Sequence, residues 1–337
     1  LEWAGKAQSV ILEAAQAYFE TLRALDLLAA SKAEEAALHR QHQQAQGRLE
    51  SGAASITDVL DALAAYDNAQ ANRKLAERSV DDAYEALTRL TRQNYSLIEG
   101  LQHHLPVEVP VPNDATAWVS QALRQNLSLR ARDFAVSAAE KHRHQRKAGF
   151  APTVDAVASY RQSNNGSVGA DYRGDVGQTS IGLQLNIPLY SGGMTRSQLR
   201  EATERLAQSE ADRDDLRREV VQNTRNFHRA VNSGVEQVSA RLQTILSSQA
   251  SVDANAIGRA VGSRNTADVL NAQRQLYRAV REYNNARYDY IIDILKLKQA
   301  AGTLSVGDLI GLTMYLTKGY NPDRDFLPPD ARQTRQQ

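Results

Sequence analysis

The sequence predicts a mainly α-helical chain with a β portion. Two long antiparallel coiled-coil hairpins stand in tandem duplication, with a β-hairpin of the outer-membrane-barrel type inserted between them. Three observations carry this prediction. First, the eight prolines cluster at Pro106, Pro110 and Pro112, at Pro152 and Pro188, and at Pro322, Pro328 and Pro329. Residues 1–105 and 189–321 contain none, and proline costs about 3 kcal/mol inside a helix, so these stretches permit very long helices. Second, a heptad seam recurs at an offset of 210 residues. Third, eight of the 19 glycines lie between Gly149 and Gly193, beside Asn164, Asn165, Thr179 and Tyr190, which is strand-and-turn chemistry.

The seam begins at Val59 and runs through Ala62, Tyr66, Ala69, Arg73, Ala76, Val80, Ala83, Leu87 and Leu90. Its three-four spacing is that of a coiled coil, with Arg73 as the one polar breach. The second copy reads Val269, Ala272, Leu276, Ala279, Tyr283, Ala286, Tyr290, Asp293, Leu297 and Ala300. Identities at the offset include Gly52/Gly262, Asp58/Asp268, Val59/Val269, Leu60/Leu270 and Leu87/Leu297, which marks an internal duplication. Each return helix has an upstream partner. Leu12, Ala15, Phe19, Leu22, Ala29, Ala33 and Ala36 form the first. Leu199, Ala202, Leu206, Val231, Val238, Leu242 and Ile245 form the second. Short polar joints, 50–55 and 261–266, connect the pairs, and the residues after each glycine suit helix caps. The many seam alanines imply close helix approach.

The upstream helix of the second repeat, about residues 193–261, spans about 100 Å at 1.5 Å per residue. Its return, about 265–302, is little more than half as long. The segment from Leu129 to Ala148, stacked end to end on the return helix, is expected to supply the missing partner. In the insert, Ile181, Leu183, Leu185, Ile187 and Leu189 alternate with Gly182, Gln184, Asn186 and Pro188, a period of two. Thr153–Gln162 is the partner strand, with a polar loop from Ser163 to Gly177. A lone hairpin has exposed edges and marginal stability, so it needs partners, and copies from other chains would close the sheet. The tail from about Gly319 is expected to be disordered or draped. The resulting segments are 1–105, 106–150, 151–190, 191–304 and 305–337.

Composition narrows the function classes. The chain has 337 residues with Lys+Arg 40 and Asp+Glu 39, a net charge of +1. That balance gives no global pull toward nucleic acid or an acidic membrane. The absence of cysteine removes disulfide scaffolds, zinc ribbons and thiol enzymes. Mean hydropathy is −0.51, and no apolar run of about 18 residues suggests a transmembrane helix. A β-barrel escapes that test because its strands are short and alternating. The chain opens without a signal peptide, as expected of a processed, truncated or cytoplasmic protein.

Tandem hairpins around a β-hairpin, with Asn186-Ile187-Pro188-Leu189-Tyr190-Ser191-Gly192-Gly193 leading into a helix, resemble the TolC family of outer-membrane efflux and secretion channels. So do Ala17-Tyr18-Phe19, Ile56-Thr57-Asp58-Val59, Val261-Gly262-Ser263-Arg264, Asp268-Val269-Leu270, Ala286-Arg287-Tyr288-Asp289-Tyr290 and Ala301-Gly302-Thr303-Leu304. The resemblance covers about residues 6–312. It implies a homotrimeric α/β barrel channel in the outer membrane of a Gram-negative bacterium, most of each chain lying in the periplasm. Such a channel is a passive duct and not an enzyme. Four strands per chain make one twelve-stranded barrel, and the helices form a tunnel closed by a coiled-coil iris. Its partners are a periplasmic adaptor (membrane fusion protein), an inner-membrane ABC or proton-driven pump, and outer-membrane lipid. This sequence starts inside the helix that follows the family's first β-hairpin, so a truncated or engineered chain is expected.

The resemblance also implies gate residues. Asp268 matches a position lining the narrowest entrance, where three carboxylates facing one axis repel one another and attract cations. On its own, Asp268 reads equally as an acid at a helix start. The next acidic position of the family holds Asn271, so the ring is single and cation block is expected to be weaker. Asp58 and Arg264 match latch positions between neighbouring hairpins, while an i,i+4 pair of Arg264 with Asp268 is equally available. A third latch position, usually tyrosine, holds Arg259. Ile181, Leu183, Leu185, Ile187 and Leu189 would face lipid. The alternative is a soluble trimeric coiled-coil scaffold or periplasmic adaptor, in which that strand face packs on helices.

Other signals carry less. The pairs His39/His42, His103/His104 and His142/His144 lack an acid or cysteine at metal-ligand spacing, so no metal is expected. Gly192-Gly193 precedes a helix without a dinucleotide or Walker motif, so no cofactor is expected. The basic run Lys141-His142-Arg143-His144-Gln145-Arg146-Lys147 reads as a solvated helix end, or as a contact to acidic lipid or to periplasmic neighbours near the membrane plane. No catalytic constellation is present.

Overall fold

The computed structural model describes residues 2–167, 173–321 and 325. The chain divides into two compact units, one of residues 1–128 with 219–337 and the other of residues 129–218. In chain order the elements are α1 (Glu2–Glu50), α2 (Ile56–Thr91), β1 (Gly100–Leu101), α3 (Ala115–Gln125), α4 (Leu127–Ala148), β2 (Thr153–Ser167), β3 (Arg173–Asn186), α5 (Met194–Ala260), α6 (Thr266–Ala300), α7 (Val306–Thr313) and β4 (Leu316–Thr317). No described helix is long and apolar enough to cross a membrane.

In the first unit, α1 packs against both α2 and α6. The predicted seam of α2 is the buried one: Val59, Ala62, Ala69, Ala76, Val80 and Leu87 are buried, and the remaining seam positions are half-buried. Arg73 keeps its place on the seam because its guanidinium reaches Glu35 of α1 at 2.5 Å and also pairs with Glu77. On α1, Leu12, Ala15, Phe19, Leu22 and Ala29 are buried as expected. Beyond them the expectation fails. Ala33 is half-buried and Ala36 is exposed, while Ala37 and Leu38 are buried instead. A straight helix drifts by roughly 20° per heptad from a 3.5-residue repeat, so a strict heptad register is lost over a helix this long.

α6 buries more than its seam. Val280, Asn284, Arg287, Tyr288, Ile291, Ile292 and Leu295 are also buried. On this second face sits a polar network. Asp26 of α1 accepts from Asn284 Nδ2 at 3.1 Å, from the Tyr288 hydroxyl at 2.8 Å and from the Tyr320 hydroxyl at 2.7 Å. Arg287 donates to the Gln102 carbonyl and stacks over the Tyr283 ring, 5.3 Å from its centroid. Burial pushes the Asp26 carboxyl up to about 6, against the lowering effect of its three donors and of Arg287.

The segment beyond α6 docks on this network. β4 pairs antiparallel with β1, Thr317 opposite Gly100 and Leu316 opposite Leu101. A Cβ at Gly100 would lie 2.1 Å from the Tyr320 ring, so only glycine leaves room for the tyrosine to reach Asp26. The tail, expected to be disordered or draped, is held through Asn321, and most of the residues beyond it lie outside the described ones. α6 ends against the α3–α4 joint. The Asn126 side chain donates to the Ala300 carbonyl at 3.0 Å. Gly302, at φ +76°, lies so close that a Cβ would come within 2.2 Å of the Gln125 carbonyl oxygen.

In the second unit, α4 lies beside the start of α5. Arg132 pairs with Asp212 at 3.9 Å, and Arg146 donates to Gln198 at 3.5 Å. β2 and β3 form an antiparallel ladder from Thr153↔Asn186 to Ser167↔Arg173, with a register shift between Ser163 and Gly166. Two expectations are corrected here. Ser163–Ser167 and Arg173–Gly177 belong to strands, because ladder hydrogen bonds carry the polar residues past the tip expected from composition; residues 168–172 lie outside the described ones. At the other end β3 stops at Asn186, so Ile187 and Leu189 are not strand residues. Pro188 lacks an N–H to donate and restricts Ile187 before it.

Candidate functional site

The joints between α1 and α2 and between α5 and α6 are the same motif built twice. Each upstream helix ends in paired backbone bonds closed by a left-handed glycine. Ala53 N–H donates to Arg48 O at 2.7 Å and Gly52 N–H to Leu49 O at 2.9 Å; Ser263 N–H donates to Gly258 O at 2.9 Å and Gly262 N–H to Arg259 O at 3.2 Å. Gly52 and Gly262 have φ of 75° and 77°, where side chains are strained. Each return helix then starts with a capping box. Asp58 N–H donates to Ser55 Oγ at 3.2 Å while Ser55 N–H donates to the Asp58 carboxylate at 2.9 Å. Asp268 N–H donates to Asn265 Oδ1 at 2.8 Å while Asn265 N–H donates to the Asp268 carboxylate at 3.0 Å. Reciprocal bonds of this kind satisfy two otherwise orphaned donors.

The expected gate acids are thus both third residues of their helices. Asp58 is exposed, and the Ser55 backbone and side chain hold its carboxyl below the usual carboxylate range. Asp268 is half-buried and Asn271, one turn on, is exposed. The tips differ in charge. Arg259 and Arg264 stand where the first repeat has Leu49 and Ala54. Arg264 lies across Gly258, where a Cβ would come within 2.6 Å of its Cγ. Arg259 donates to Gln44 of α1 at 3.4 Å. Among the described residues Arg264 forms no ion pair, neither with Asp58 nor with Asp268. Arg48, Arg259 and Arg264 line one cleft of about 490 Å³ with Gln44, Gly47 and Asn265. Asp58 lines another of about 470 Å³, with Asp61 and Arg48.

The second expected feature is the hairpin face. The register sets Ile181 opposite Ala158, Leu183 opposite Ala156 and Leu185 opposite Val154, so these six side chains share one face, while Val157, opposite Gly182, lies on the other. That face is bare: Ile181 is 84 % exposed and Leu183 81 %. Leu185, Ile187 and Leu189 are exposed as well. The other face carries Asp155, Ser159, Arg161, Ser180 and Gln184, with a hydroxyl–hydroxyl bond of 2.8 Å between Ser159 and Ser180.

What sequence reasoning missed is the buried side of α6. Its signal was available at the 210-residue offset. Asn284, Arg287, Tyr288, Ile291 and Ile292 stand where the first repeat has Lys74, Glu77, Arg78, Asp81 and Asp82, so one copy carries a solvated face where the other buries a second one.

Comparison with known proteins agrees with this architecture. A family model described as outer membrane efflux protein matches residues 2–91 and 118–303. The chain is 34 % identical over 334 residues to outer membrane protein TolC of Escherichia coli (strain K12), covering 96 % of this chain and 67 % of that protein. It is 31 % identical over 321 residues to alkaline protease secretion protein AprF of Pseudomonas aeruginosa, covering 95 % and 66 %. The chain thus spans about two thirds of the length of these relatives. The crystal structure of the Campylobacter jejuni CmeC outer membrane channel superposes with a TM-score of 0.75 at 14 % identity, covering 95 % of this chain and 69 % of that one. That of the outer membrane protein VceC of Vibrio cholerae gives a TM-score of 0.72 at 19 % identity, covering 89 % and 71 %. With its duplicated helical hairpins, its inserted β-hairpin and this extent of sequence identity, the chain belongs to the outer membrane efflux protein family, alongside TolC.

Proposed function

We propose that this chain is a subunit of a homotrimeric outer-membrane channel that provides the exit duct of a type I secretion or multidrug efflux system. The observation that carries the membrane assignment is the bare apolar face of the hairpin. A continuous apolar patch set opposite a polar face is unfavourable in water and suited to lipid. A soluble scaffold or adaptor would need that face packed on helices. In this reading residues 151–190 lie in the membrane, and strands from the three copies share one barrel. The repeats 1–105 and 191–304 form the periplasmic tunnel, with 106–150 and 305–337 around its middle. The tips meet a periplasmic adaptor and an inner-membrane ABC or proton-driven pump, and the pump selects the cargo. The names of the relatives span both branches: AprF is an alkaline protease secretion protein, and BepC of Brucella suis is an outer membrane efflux protein. The first supports a role in type I secretion.

The gate reading assigns Asp268 to a ring of three carboxylates and Asn271 to the uncharged turn beside it. It assigns Asp58 and Arg264 to the latch, with Arg259 in the third latch position. A charge-assisted bond near the surface is worth little and is easily displaced, which suits a latch. Conductance of the full-length protein in planar bilayers tests this. Wild type should give small, cation-selective currents that divalent cations block. Asp268→Asn should weaken that block while keeping the size of the side chain at the cap. Arg264→Ser should raise the conductance. A membrane-extracted trimer that stays silent in wild type and in Arg264→Ser would overturn the channel reading.

A further inference from the structure

We propose that the base of the β-hairpin carries a cationic collar that binds anionic phospholipid headgroups in the periplasm-facing leaflet of the outer membrane. The inference rests on the membrane reading of the hairpin and adds a lipid class to it. It comes from the second unit alone.

Two segments flank the hairpin base. The last turns of α4 carry Lys141, Arg143, Arg146 and Lys147, and no acid follows Glu140 until Asp155. The first turns of α5 carry Arg196 and Arg200, and no acid stands between Asp175 and Glu201. The Arg146–Gln198 bond of 3.5 Å brings these two helix ends together, and a Cβ on Gly149 would lie 3.4 Å from the Thr195 methyl group. The cations are thus gathered at one level of the unit, next to where β2 and β3 begin and end. Phe150 is 52 % exposed and Tyr190 90 %, and in chain order each stands between the cations and the apolar residues of its strand or strand end. Apolar face, aromatic residues and cations in that order are what a membrane–water interface selects.

Helix stability explains only half of the collar. Cations at the end of α4 suit the negative end of its dipole. Arg196 stands in the first turn of α5, where the dipole disfavours a cation and no acid compensates, and Arg200 follows one turn on. Both are exposed. An anion from outside the helix would stabilise both. Charge complementarity and the neighbouring apolar face together select a lipid headgroup, since a free anion has no use for the apolar face.

The test uses full-length protein reconstituted in nanodiscs of phosphatidylcholine with about 30 % phosphatidylglycerol. Association of spin-labelled phosphatidylglycerol is measured against spin-labelled phosphatidylcholine. Wild type should prefer the anionic lipid by about fivefold at low salt, and the preference should fade as ionic strength rises. Arg196→Gln with Arg200→Gln should lose most of it while the thermal stability of the trimer in detergent is unchanged or higher. Arg217→Gln with Arg218→Gln, exposed cations farther along α5, should keep it. Inorganic phosphate should compete no better than chloride at equal ionic strength. Normal insertion with equal lipid affinities in wild type, or a preference unchanged in the Arg196/Arg200 variant, overturns the collar and leaves the channel reading standing. Failure of wild type to insert into either bilayer overturns the membrane reading, and the collar with it.

Discussion

α2 and α6 descend from one repeat, keep the same seam positions and the same capping motif, and differ on their other side. α2 buries one narrow stripe of small and medium side chains, half of them alanine. Opposite it lie Lys74, Arg78, Asp81 and Asp82. α6 buries the same stripe and, in addition, Val280, Tyr288, Ile291, Ile292 and Leu295, with Asn284 and Arg287 among them. The difference teaches that duplication fixed how a helix starts and which face meets its hairpin partner. What each copy does with its remaining surface was free to diverge. α6 became the centre of the core and α2 stayed at its margin.

The sharpest way to break the comparison is to strip the extra face. Tyr288→Ala removes a fully buried ring and leaves Asp26 short of a donor, so it should cost about 3–5 kcal/mol. Its counterpart at the duplicated position, Arg78→Ala, should change stability by less than about 0.5 kcal/mol. Denaturant unfolding of the two variants side by side checks this. Equal costs would mean that the second face of α6 contributes nothing special.

A second experiment uses pH. The Asp26 carboxyl lies at about 6 in the folded protein against an ordinary value of 3.8. A carboxyl raised on folding contributes stability that is fully present below about 3.8 and is lost as pH rises through about 6. Stability should therefore fall by about 2 kcal/mol more between pH 4 and pH 7 in wild type than in Asp26→Asn, which has no such proton. Parallel pH curves for the two proteins would contradict the burial of that carboxyl. No group of this kind lies on the seam of α2, so the dependence belongs to the α6 side.

The smallest effect sharpens what the two regions share. Ser55→Ala and Asn265→Ala each remove the side-chain half of a capping box, and each should cost about 1 kcal/mol. Thermal unfolding of the two single variants and of the pair should give equal and additive losses. A marked inequality would mean that one tip leans on neighbours that the other lacks.

These regions also show where the sequence was legible. The seam of α2 was readable because its burial is one-sided and its breach, Arg73, has an acid in reach on the partner helix. The tips were readable because left-handed glycines and capping residues act over six residues of chain. The second face of α6 was not, because burial on two sides blurs the helical period, and because Arg287 and Asp26 are of a type that patterning assigns to water. The drift from Ala36 to Ala37 on α1 was invisible for a geometric reason, since a rigid heptad template does not follow a straight helix. At the hairpin the alternation located the strands, whereas their far ends depended on ladder bonds that polar residues make as readily as apolar ones.

The matched caps have a mechanical consequence. Each tip keeps its helix wound with bonds made inside its own short loop, and borrows nothing from the opposite hairpin to do so. A force applied at Asp58 or Arg264 therefore meets a stiff end that does not fray. The load passes down the shaft as it would along a lever, to wherever the packing yields first. Alanines on both seams offer little side-chain interlock to resist sliding there.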